Sequence, residues 1–180
     1  MKMGDFMIFD IPTIETERLI LRPLSINDAE DVFEWAGDER VAKYMIYPCH
    51  KNIEVTKKWL KSLKNLENEY AWGIVRKSDG KLIGSCGICF RTDEKVWSFG
   101  YNLRFDCWIN GYATETTKRI IEYVIAEHNA SEFVSEHAVD NPASGRVMEK
   151  CGLVFDSYSE YTKFDGSAAF KAKVFRMKLD

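Results

Sequence analysis

The order of hydrophobic and polar positions around residue 110 predicts a strand that leads through a loop into a helix. Large apolar residues alternate with small or polar ones in the strand, at Trp97, Phe99, Tyr101 and Leu103. Beyond Gly111, apolar residues recur every three or four positions as far as Val124, which is the spacing of one helix face. The first turn of such a helix leaves backbone N–H groups without partners at the positive end of the helix dipole. We therefore expect this junction to bind an anion.

The rest of the chain divides into an antiparallel part and a βαβ part. A strand over 17–24, a helix opened by Ser25 and another opened by Asn52 precede a hairpin, whose Asp79 and Gly80 suit a tight turn. The later elements are predicted as a helix over 112–127, a strand over 132–139, a helix over 141–151 and hairpin strands over 153–162 and 170–179. Because a helical crossover joins parallel strands, the sheet is predicted to be mixed.

Composition limits the class of protein. With 180 residues, 46% of them hydrophobic, we expect a single domain over 1–180 with a sizeable core. A net charge of -3 with intermixed signs gives no basic surface, so direct nucleic-acid binding is not predicted. No apolar run approaches the roughly 18 residues of a membrane span, and the first ten residues lack the pattern of a signal peptide. The chain is therefore expected to be cytoplasmic, without membrane association.

The cysteines predict neither disulfides nor a metal site. There are five, an odd number scattered along the chain, which fits reduced thiols. Cys86 and Cys89 have the C-x-x-C spacing of many zinc and redox sites. They lie in the strand-like run 82–90, where residues three apart point to opposite faces, and no second pair has ligand spacing. We therefore expect no bound metal.

The loop at the strand-to-helix junction carries a motif. Residues 108–115 read Trp-Ile-Asn-Gly-Tyr-Ala-Thr-Glu, which resembles the W-G-K-G-Y-A-T-E pyrophosphate loop of the ribosomal-protein-alanine branch of the GNAT superfamily of N-acetyltransferases. Ile109 replaces the usual glycine, which is expected to narrow the loop, and Asn110 replaces the usual lysine, which removes a cation near the phosphates. The resemblance implies that acetyl-coenzyme A is bound by Trp108, Ile109, Asn110, Gly111, Tyr112, Ala113 and Thr114.

A second motif follows one strand later, in residues 140–155. Asn141 stands at a helix N-cap, Pro142 at the first helical position and Gly152 just past the end, so a short helix is predicted. The segment resembles the family's N-x-x-S-x-x-V-x-E-K-x-G-F motif, with Leu153 in place of the final phenylalanine. The two motifs imply a single α/β (α+β) domain of GNAT type. Its sheet is expected to be mixed and mainly antiparallel, of about seven strands, with helices on both faces and parallel neighbours that splay at the cofactor.

Acetyl transfer to an amine needs a base for the amine, a donor for the oxyanion and a group that stabilises the departing thiolate. The resemblance places Asn102 and Leu103 beside the pantetheine arm, where a free backbone N–H would serve the oxyanion. The tyrosine that many family members use as acid is replaced by Met148, whereas Ser144 matches a serine of the alanine-acetylating branch. Ser144 is either a thiolate contact or polar lining, and Asn141 is either a plain cap or a cap that also contacts the coenzyme.

The base and the acceptor are left open by the sequence. Ser98 occupies a position where related sequences often carry a glutamate, which leaves Glu136, Glu160 or a water chain as candidates. His50 and His137 are expected to be structural or solvated, as lone histidines usually are. The resemblance implies an amine acceptor such as the N-terminal alanine of a ribosomal protein. A small amine or antibiotic, or a non-catalytic acyl-CoA sensor, is the alternative, and both a monomer and a homodimer fit the chain.

Overall fold

The described part of the molecule consists of one β-sheet with helices packed against it. The structure is a computed structural model that describes residues 9–179. The strands are β1 Ile14–Glu15, β2 Leu19–Pro23, β3 Glu69–Arg76, β4 Leu82–Arg91, β5 Val96–Leu103, β6 Glu132–Ala138, β7 Val154–Thr162 and β8 Ala169–Lys178. The helices are α1 Ala29–Ala36, α2 Glu39–Ala42, α3 Ile53–Ser62, α4 Tyr112–His128 and α5 Pro142–Lys150. Within the described range, the eight strands form a sheet in the order β1-β2-β3-β4-β5-β6-β8-β7.

The sheet is antiparallel except at its centre. β5 and β6 form the parallel pair that the βαβ pattern predicted, and it is short, with Trp97 opposite Phe133 and Ser98 opposite Val134. β6 pairs over its whole length with β8, and β8 pairs with β7 as the predicted C-terminal hairpin. The expected mixed, mainly antiparallel sheet is confirmed. Its two halves meet along only two residue pairs.

Helices cover both faces of the sheet, as expected. Ile74 and Val75 are consecutive in β3, so they point to opposite faces, and they belong to different hydrophobic clusters. The cluster that contains Ile74 includes Ile120 of α4, and the cluster that contains Val75 includes Leu60 of α3. Burying one large aliphatic side chain contributes roughly 1.5–3 kcal/mol, so each face stabilises the sheet.

The short 3-10 turn Ile26–Asp28 that leads into α1 and the start of α3 have the caps that the sequence predicted. Ser25 Oγ accepts a hydrogen bond from the backbone N–H two residues later, and the Asp28 carboxylate accepts one of 2.7 Å from the Ser25 N–H. Asn52 Oδ1 accepts two bonds, of 3.1 and 3.2 Å, from N–H groups in the first turn of α3. These bonds satisfy backbone donors that a helix start leaves unpaired.

The C-x-x-C pair lies on β4, and its thiols are shielded from solvent. Burial raises the pKa of Cys86 and of Cys89, the latter to about 11, so both thiols keep their protons at neutral pH. Across residues 9–179, no group of three His, Cys, Asp or Glu side chains is placed to hold a metal ion. The same residues contain no helix long and apolar enough to cross a membrane.

Candidate active site

The centre of the sheet opens between β5 and β6. The two strands pair only near their beginnings, although β5 continues to Leu103 and β6 to Ala138. Where they part, Ser135 Oγ donates a hydrogen bond of 2.9 Å to the carbonyl oxygen of Phe99. A side chain thus takes the place of the next ladder bond. We call the space between the diverging ends of β5 and β6 the notch.

Backbone direction along β5 decides which groups face the notch. The Arg104 N–H donates to the Ile83 carbonyl of β4 at 2.8 Å. Backbone groups alternate sides along a strand, so even-numbered residues here face β4 and odd-numbered ones face the notch. The notch therefore receives the backbone groups of Tyr101 and Leu103. The Leu103 carbonyl already accepts a bond of 2.9 Å from Trp108 Nε1, which leaves its N–H and both groups of Tyr101 for a ligand.

The side chain of Asn102 is available to the site, whereas its backbone is not. Its backbone faces β4, where Ser85 lies opposite. Asn102 Oδ1 accepts a bond of 3.0 Å from Ser85 Oγ, and Asn102 Nδ2 donates to the Tyr47 hydroxyl at 2.9 Å. The backbone of Tyr101, and not that of Asn102, therefore faces the notch. Motif comparison missed Tyr101, although the strand alternation contained the signal.

A cavity of about 320 Å³ joins the notch to the first turns of α4 and α5. Ten residues of the predicted coenzyme set line it: Asn102, Leu103, Trp108, Ile109, Gly111, Tyr112, Ala113, Thr114, Asn141 and Ser144. Asn110 is not among the lining residues, because its Nδ2 folds back onto the Trp108 carbonyl at 2.9 Å. The cavity is also lined by residues outside the predicted coenzyme set, including Tyr101, Arg146, Lys150, Val41, Tyr44 and Met45.

The loop before α4 contains two residues with positive φ. Gly111 has a φ of 82°, which glycine adopts without penalty, and a Cβ at this position would lie 3.4 Å from Arg18 Nη2. Ile109 has a φ of 64°, where a β-branched residue is strained by about 1–3 kcal/mol. This angle explains why glycine is usual there. The expected narrowing of the loop does not occur, because the Ile109 side chain is fully exposed.

Arg18 fixes the shape of this loop from outside. Its guanidinium has three partners: the Tyr112 ring at 4.6 Å, the Asn110 carbonyl at 3.0 Å and the Glu115 carboxylate at 2.6 Å. The C=O and N–H of a trans peptide point in opposite directions, so the bond to Asn110 turns the Gly111 N–H away from Arg18. Because Glu115 neutralises its charge, Arg18 orders the loop but does not replace the missing lysine as a free cation.

Glu115 is held in its charged form by the residues before β2. Thr16 Oγ1 donates to its carboxylate at 2.5 Å, and the Arg18 backbone N–H donates at 2.9 Å. Burial opposes ionisation, but these bonds and the guanidinium outweigh it and hold the pKa of Glu115 below its usual range. An ionised carboxylate therefore links the entry of β2 to the first turn of α4.

The charge of the cavity wall is positive. Arg146 and Lys150 line it from α5, and Arg40 lines it from α2 while paired with Asp38 at 2.5 Å. Among the described residues, none of those that line the cavity is an aspartate or a glutamate. Such a wall favours an anionic ligand.

The start of α5 brings three polar groups together. Asn141 occupies the N-cap position, but its side chain makes no capping bond, which corrects the prediction. Its Nδ2 donates instead to Ser144 Oγ at 3.1 Å. The Tyr101 hydroxyl oxygen is buried and has no hydrogen-bond partner within residues 9–179. Burial raises the pKa of Tyr101 to about 12, and the neighbouring Ser144 hydroxyl offsets part of this effect. Met148, in the slot of the usual tyrosine, is buried in the core.

Neither carboxylate predicted as a base lines the cavity. Glu136 is exposed and accepts a bond of 2.6 Å from Ser159 Oγ. Glu160 is exposed on β7, the edge strand, opposite Lys171 of β8. Side chains alternate along β6, so Glu136 lies on the face opposite Ser135. The structure does not bring these two carboxylates together with Ser144, and this geometry supports neither as a base.

The two histidines have structural surroundings, as expected. His137 is buried, and its Nδ1 lies 2.7 Å from the Ala138 carbonyl oxygen. His50 Nδ1 lies 2.9 Å from Thr56 Oγ1, and burial lowers the pKa of His50. Neither residue lines the cavity.

The segment after α2 is held in place by the C-terminal hairpin. Lys163 Nζ donates to three carbonyl oxygens, those of Ala42 at 2.6 Å, Met45 at 3.0 Å and Tyr47 at 3.2 Å. The Tyr161 hydroxyl donates to the Tyr44 carbonyl at 2.7 Å. These bonds fix the part of the cavity wall that Tyr44 and Met45 provide.

A family match agrees with this site. Residues 18–154 match the family described as the acetyltransferase (GNAT) domain. The chain therefore belongs to the GNAT acetyltransferase family. An uncharacterized N-acetyltransferase of Bacillus subtilis (strain 168), YoaA, is 29% identical over 146 residues, which cover 79% of this chain and 82% of the relative.

Two solved structures share the fold. One is RimL, a ribosomal L7/L12 alpha-N-protein acetyltransferase in complex with coenzyme A, with a TM-score of 0.78 and 14% identity over 94% of this chain and 99% of the other. The second is a spermidine N-acetyltransferase from Vibrio cholerae in complex with CoA and spermine, with a TM-score of 0.75 and 16% identity over 91% of this chain and 96% of the other. The protein is thus an acyltransferase with acetyl-CoA as its cosubstrate and an amine as its acceptor.

Proposed function

We propose that this enzyme acetylates the α-amino group of a peptide or protein N-terminus, such as an N-terminal alanine. The observation that carries the proposal is the cavity wall, which has no carboxylate among its described residues. An acceptor with several ammonium groups, such as a polyamine or an aminoglycoside, would need negative partners in such a site. A peptide N-terminus brings a single ammonium and does not need them.

The acidity of the acceptor supports the same choice. An α-amino group has a pKa of about 7.7–8.0, whereas a lysine side chain has one of about 10.4. Near pH 7.5, about a third of the α-amino groups are neutral, against about one in a thousand lysine amines. A site without a carboxylate base is therefore suited to an amine that loses its proton to water before it attacks.

The coenzyme is proposed to lie with its diphosphate against the first turns of the two helices. Neither Gly111 nor Asn141 provides a side-chain cap, so backbone N–H groups at both helix starts are available to phosphate oxygens. Arg146 and Lys150 add positive charge to the same cavity. The rest of the cavity wall near the proposed diphosphate position is formed by Trp108, Ile109, Tyr112, Ala113 and Thr114.

The thioester is proposed to lie in the notch. The neutral amine attacks the acetyl carbonyl, a C–N bond forms, and the C–S bond breaks with its electron pair leaving on sulfur. The N–H of Leu103 or Tyr101 would hold the oxyanion, and one such donor is worth about 3–4 kcal/mol in comparable sites. Ser144 would contact the departing thiolate, and the proton lost by the amine leaves through water.

The acceptor proposal is tested with matched amines in a thiol-release assay. One peptide has a free N-terminal alanine and no lysine, and its partner is blocked at the N-terminus and carries one lysine. Spermidine and an aminoglycoside complete the set. We expect kcat/KM for the free N-terminus to exceed that for the lysine peptide by about 300-fold near pH 7.5, the ratio of the two neutral fractions. The ratio should narrow as the pH rises toward the pKa of lysine.

Three outcomes would contradict the proposal. Preference for spermidine or for the antibiotic would identify a small-molecule enzyme. A preference for the lysine peptide would show that a protein group acts as a base and removes the proton of the lysine ammonium, contrary to the proposal. A thermal shift with acetyl-CoA but no thiol release from any acceptor would favour an acyl-CoA sensor.

A further inference from the structure

The Tyr101 hydroxyl is a buried polar group of the cavity wall that the proposed reaction does not use. The ring lines the cavity, but the hydroxyl oxygen is buried and makes no hydrogen bond within residues 9–179. A buried polar group without a partner lowers stability. Such a group at a ligand cavity therefore calls for a partner that forms when the site is in use.

Ser144 lines the same cavity as Tyr101 and carries a hydroxyl group. The Ser144 hydroxyl lies near enough to influence the ionisation of Tyr101. Asn141 Nδ2 already donates to Ser144 Oγ at 3.1 Å. A serine hydroxyl has two lone pairs and a single hydrogen. If Tyr101 donates to the second lone pair, the hydrogen of Ser144 must point toward another acceptor, and Ser144 lines the cavity.

We propose that Tyr101 is a positioning residue that, together with Asn141, directs the Ser144 hydroxyl hydrogen toward the departing sulfur. This inference depends on the proposed acetyl transfer. When the C–S bond breaks, sulfur takes the electron pair, and the Ser144 O–H stabilises the thiolate by a hydrogen bond. Neither hydroxyl gives up its proton. The thiolate is later protonated by water, which carries the proton that the amine lost.

The replacement of the family's usual tyrosine by Met148 supports this role for Tyr101. Met148 is buried in the core, so α5 offers no phenol to the sulfur. Tyr101 brings a phenol to the same cavity from β5, and burial keeps that phenol protonated at neutral pH. The proposed arrangement keeps a tyrosine in the site, although the tyrosine acts through a serine.

The test compares single and double variants in steady-state kinetics. Tyr101→Phe removes only the hydroxyl, and we expect kcat to fall about 10-fold or more while KM for acetyl-CoA changes less than twofold. Ser144→Ala should show the same split. The double variant should be no slower than Ser144→Ala alone, because Tyr101 acts through Ser144. Tm should be unchanged or higher in Tyr101→Phe, since the lost hydroxyl had no partner.

Thr117→Val is the matched control. Thr117 Oγ1 is also buried without a hydrogen-bond partner in the described residues, but Thr117 does not line the cavity. This variant should keep the kcat of the wild type. A loss of turnover in the control equal to that in Tyr101→Phe would show that the effect is structural.

A second measurement does not depend on the acceptor. The thiol of bound coenzyme A is titrated by its ultraviolet thiolate absorbance, with the desulfo-coenzyme complex as blank. We expect its pKa to be higher in Tyr101→Phe and in Ser144→Ala than in the wild type, by a shift equivalent to about tenfold in the acid constant. An unchanged thiol pKa, an unchanged kcat in Tyr101→Phe, or additive losses in the double variant would overturn the inference. Failure of the acetyl-transfer proposal would appear separately, as absent thiol release by the wild type.

Discussion

The start of α3 differs from the starts of α4 and α5 in how the unpaired N–H groups of the first helical turn are treated. Asn52 closes α3 with its own side chain, which accepts two bonds from the first turn. Gly111 has no side chain to offer α4, and Asn141 turns its side chain to Ser144 instead of capping α5. The capped start lies away from the cavity, and both uncapped starts line it.

This difference shows how the fold keeps a binding surface open. A side-chain cap stabilises a helix by about 1 kcal/mol but uses the N–H groups that an anion would need. At α4, stability comes instead from outside the helix, through Arg18 and Thr16 on the Glu115 carboxylate. The missing caps of α4 and α5 therefore leave N–H groups available to a ligand, and substitutions at these helix starts test this interpretation.

The largest effect is expected at Gly111. Gly111→Val places a β-branched residue at a φ of 82° and a Cβ close to Arg18, in the turn that orients the helix start. We expect acetyl-CoA affinity, measured by calorimetry, to fall by about 100-fold, equivalent to about 2.7 kcal/mol. Gly80→Val is the control, because Gly80 has a φ of 69° and open space around it, far from the cavity motifs in sequence. Equal loss of affinity in both variants, or unchanged binding by a folded Gly111→Val, would contradict the loop's role.

A smaller effect, with a defined pH dependence, is expected for Glu115→Gln. The charged bonds to Glu115 should make the wild type more stable than the variant by about 1–2 kcal/mol at neutral pH. The folded pKa of Glu115 lies below its usual value of 4.5, so this contribution is full above that value and is lost as the pH falls through the folded pKa. Urea unfolding at several pH values measures the difference.

The measurements at acid pH are the most informative part of this test. The stability difference between wild type and Glu115→Gln should shrink below about pH 4. Glu54→Gln, whose side chain is 73% exposed in its pair with Lys57, should change stability little at any pH. A Glu115 difference that stayed constant into the acid range would show that the carboxylate charge is not what holds α4.

The smallest expected effects separate the two asparagines. Asn52→Ala removes a cap and should lower the free energy of unfolding by about 1 kcal/mol, with no change in acetyl-CoA binding. Asn141→Ala removes no cap, so its Tm should stay near that of the wild type while kcat falls. Denaturant unfolding and the thiol-release assay measure both quantities. The opposite pattern would mean that the two helix starts do not differ in function.

The sequence predicted the local features of the site because each of them depends on residues that are close together in the chain. Alternation gave the direction of β5, a glycine marked the turn before α4, and the motif spacing placed Ser144 on the first turn of α5. The same reasoning failed where two local possibilities competed, since Asn141 has the right side chain for a cap but another use for it. Glu136 and Glu160 do not line the cavity, and the reason is a different one. Their orientation depends on how β6, β7 and β8 pair.

By itself, the sequence determined the order of the main elements and the two motifs, and it predicted ten of the residues that line the cavity. Only the tertiary structure decided that Arg18 reaches Glu115, 97 positions later, and that Tyr101 and Ser144 line the same cavity. Periodicity fixes which way a side chain points from its own strand or helix. It does not fix which other element stands opposite, because that depends on strand register and on where β5 and β6 part.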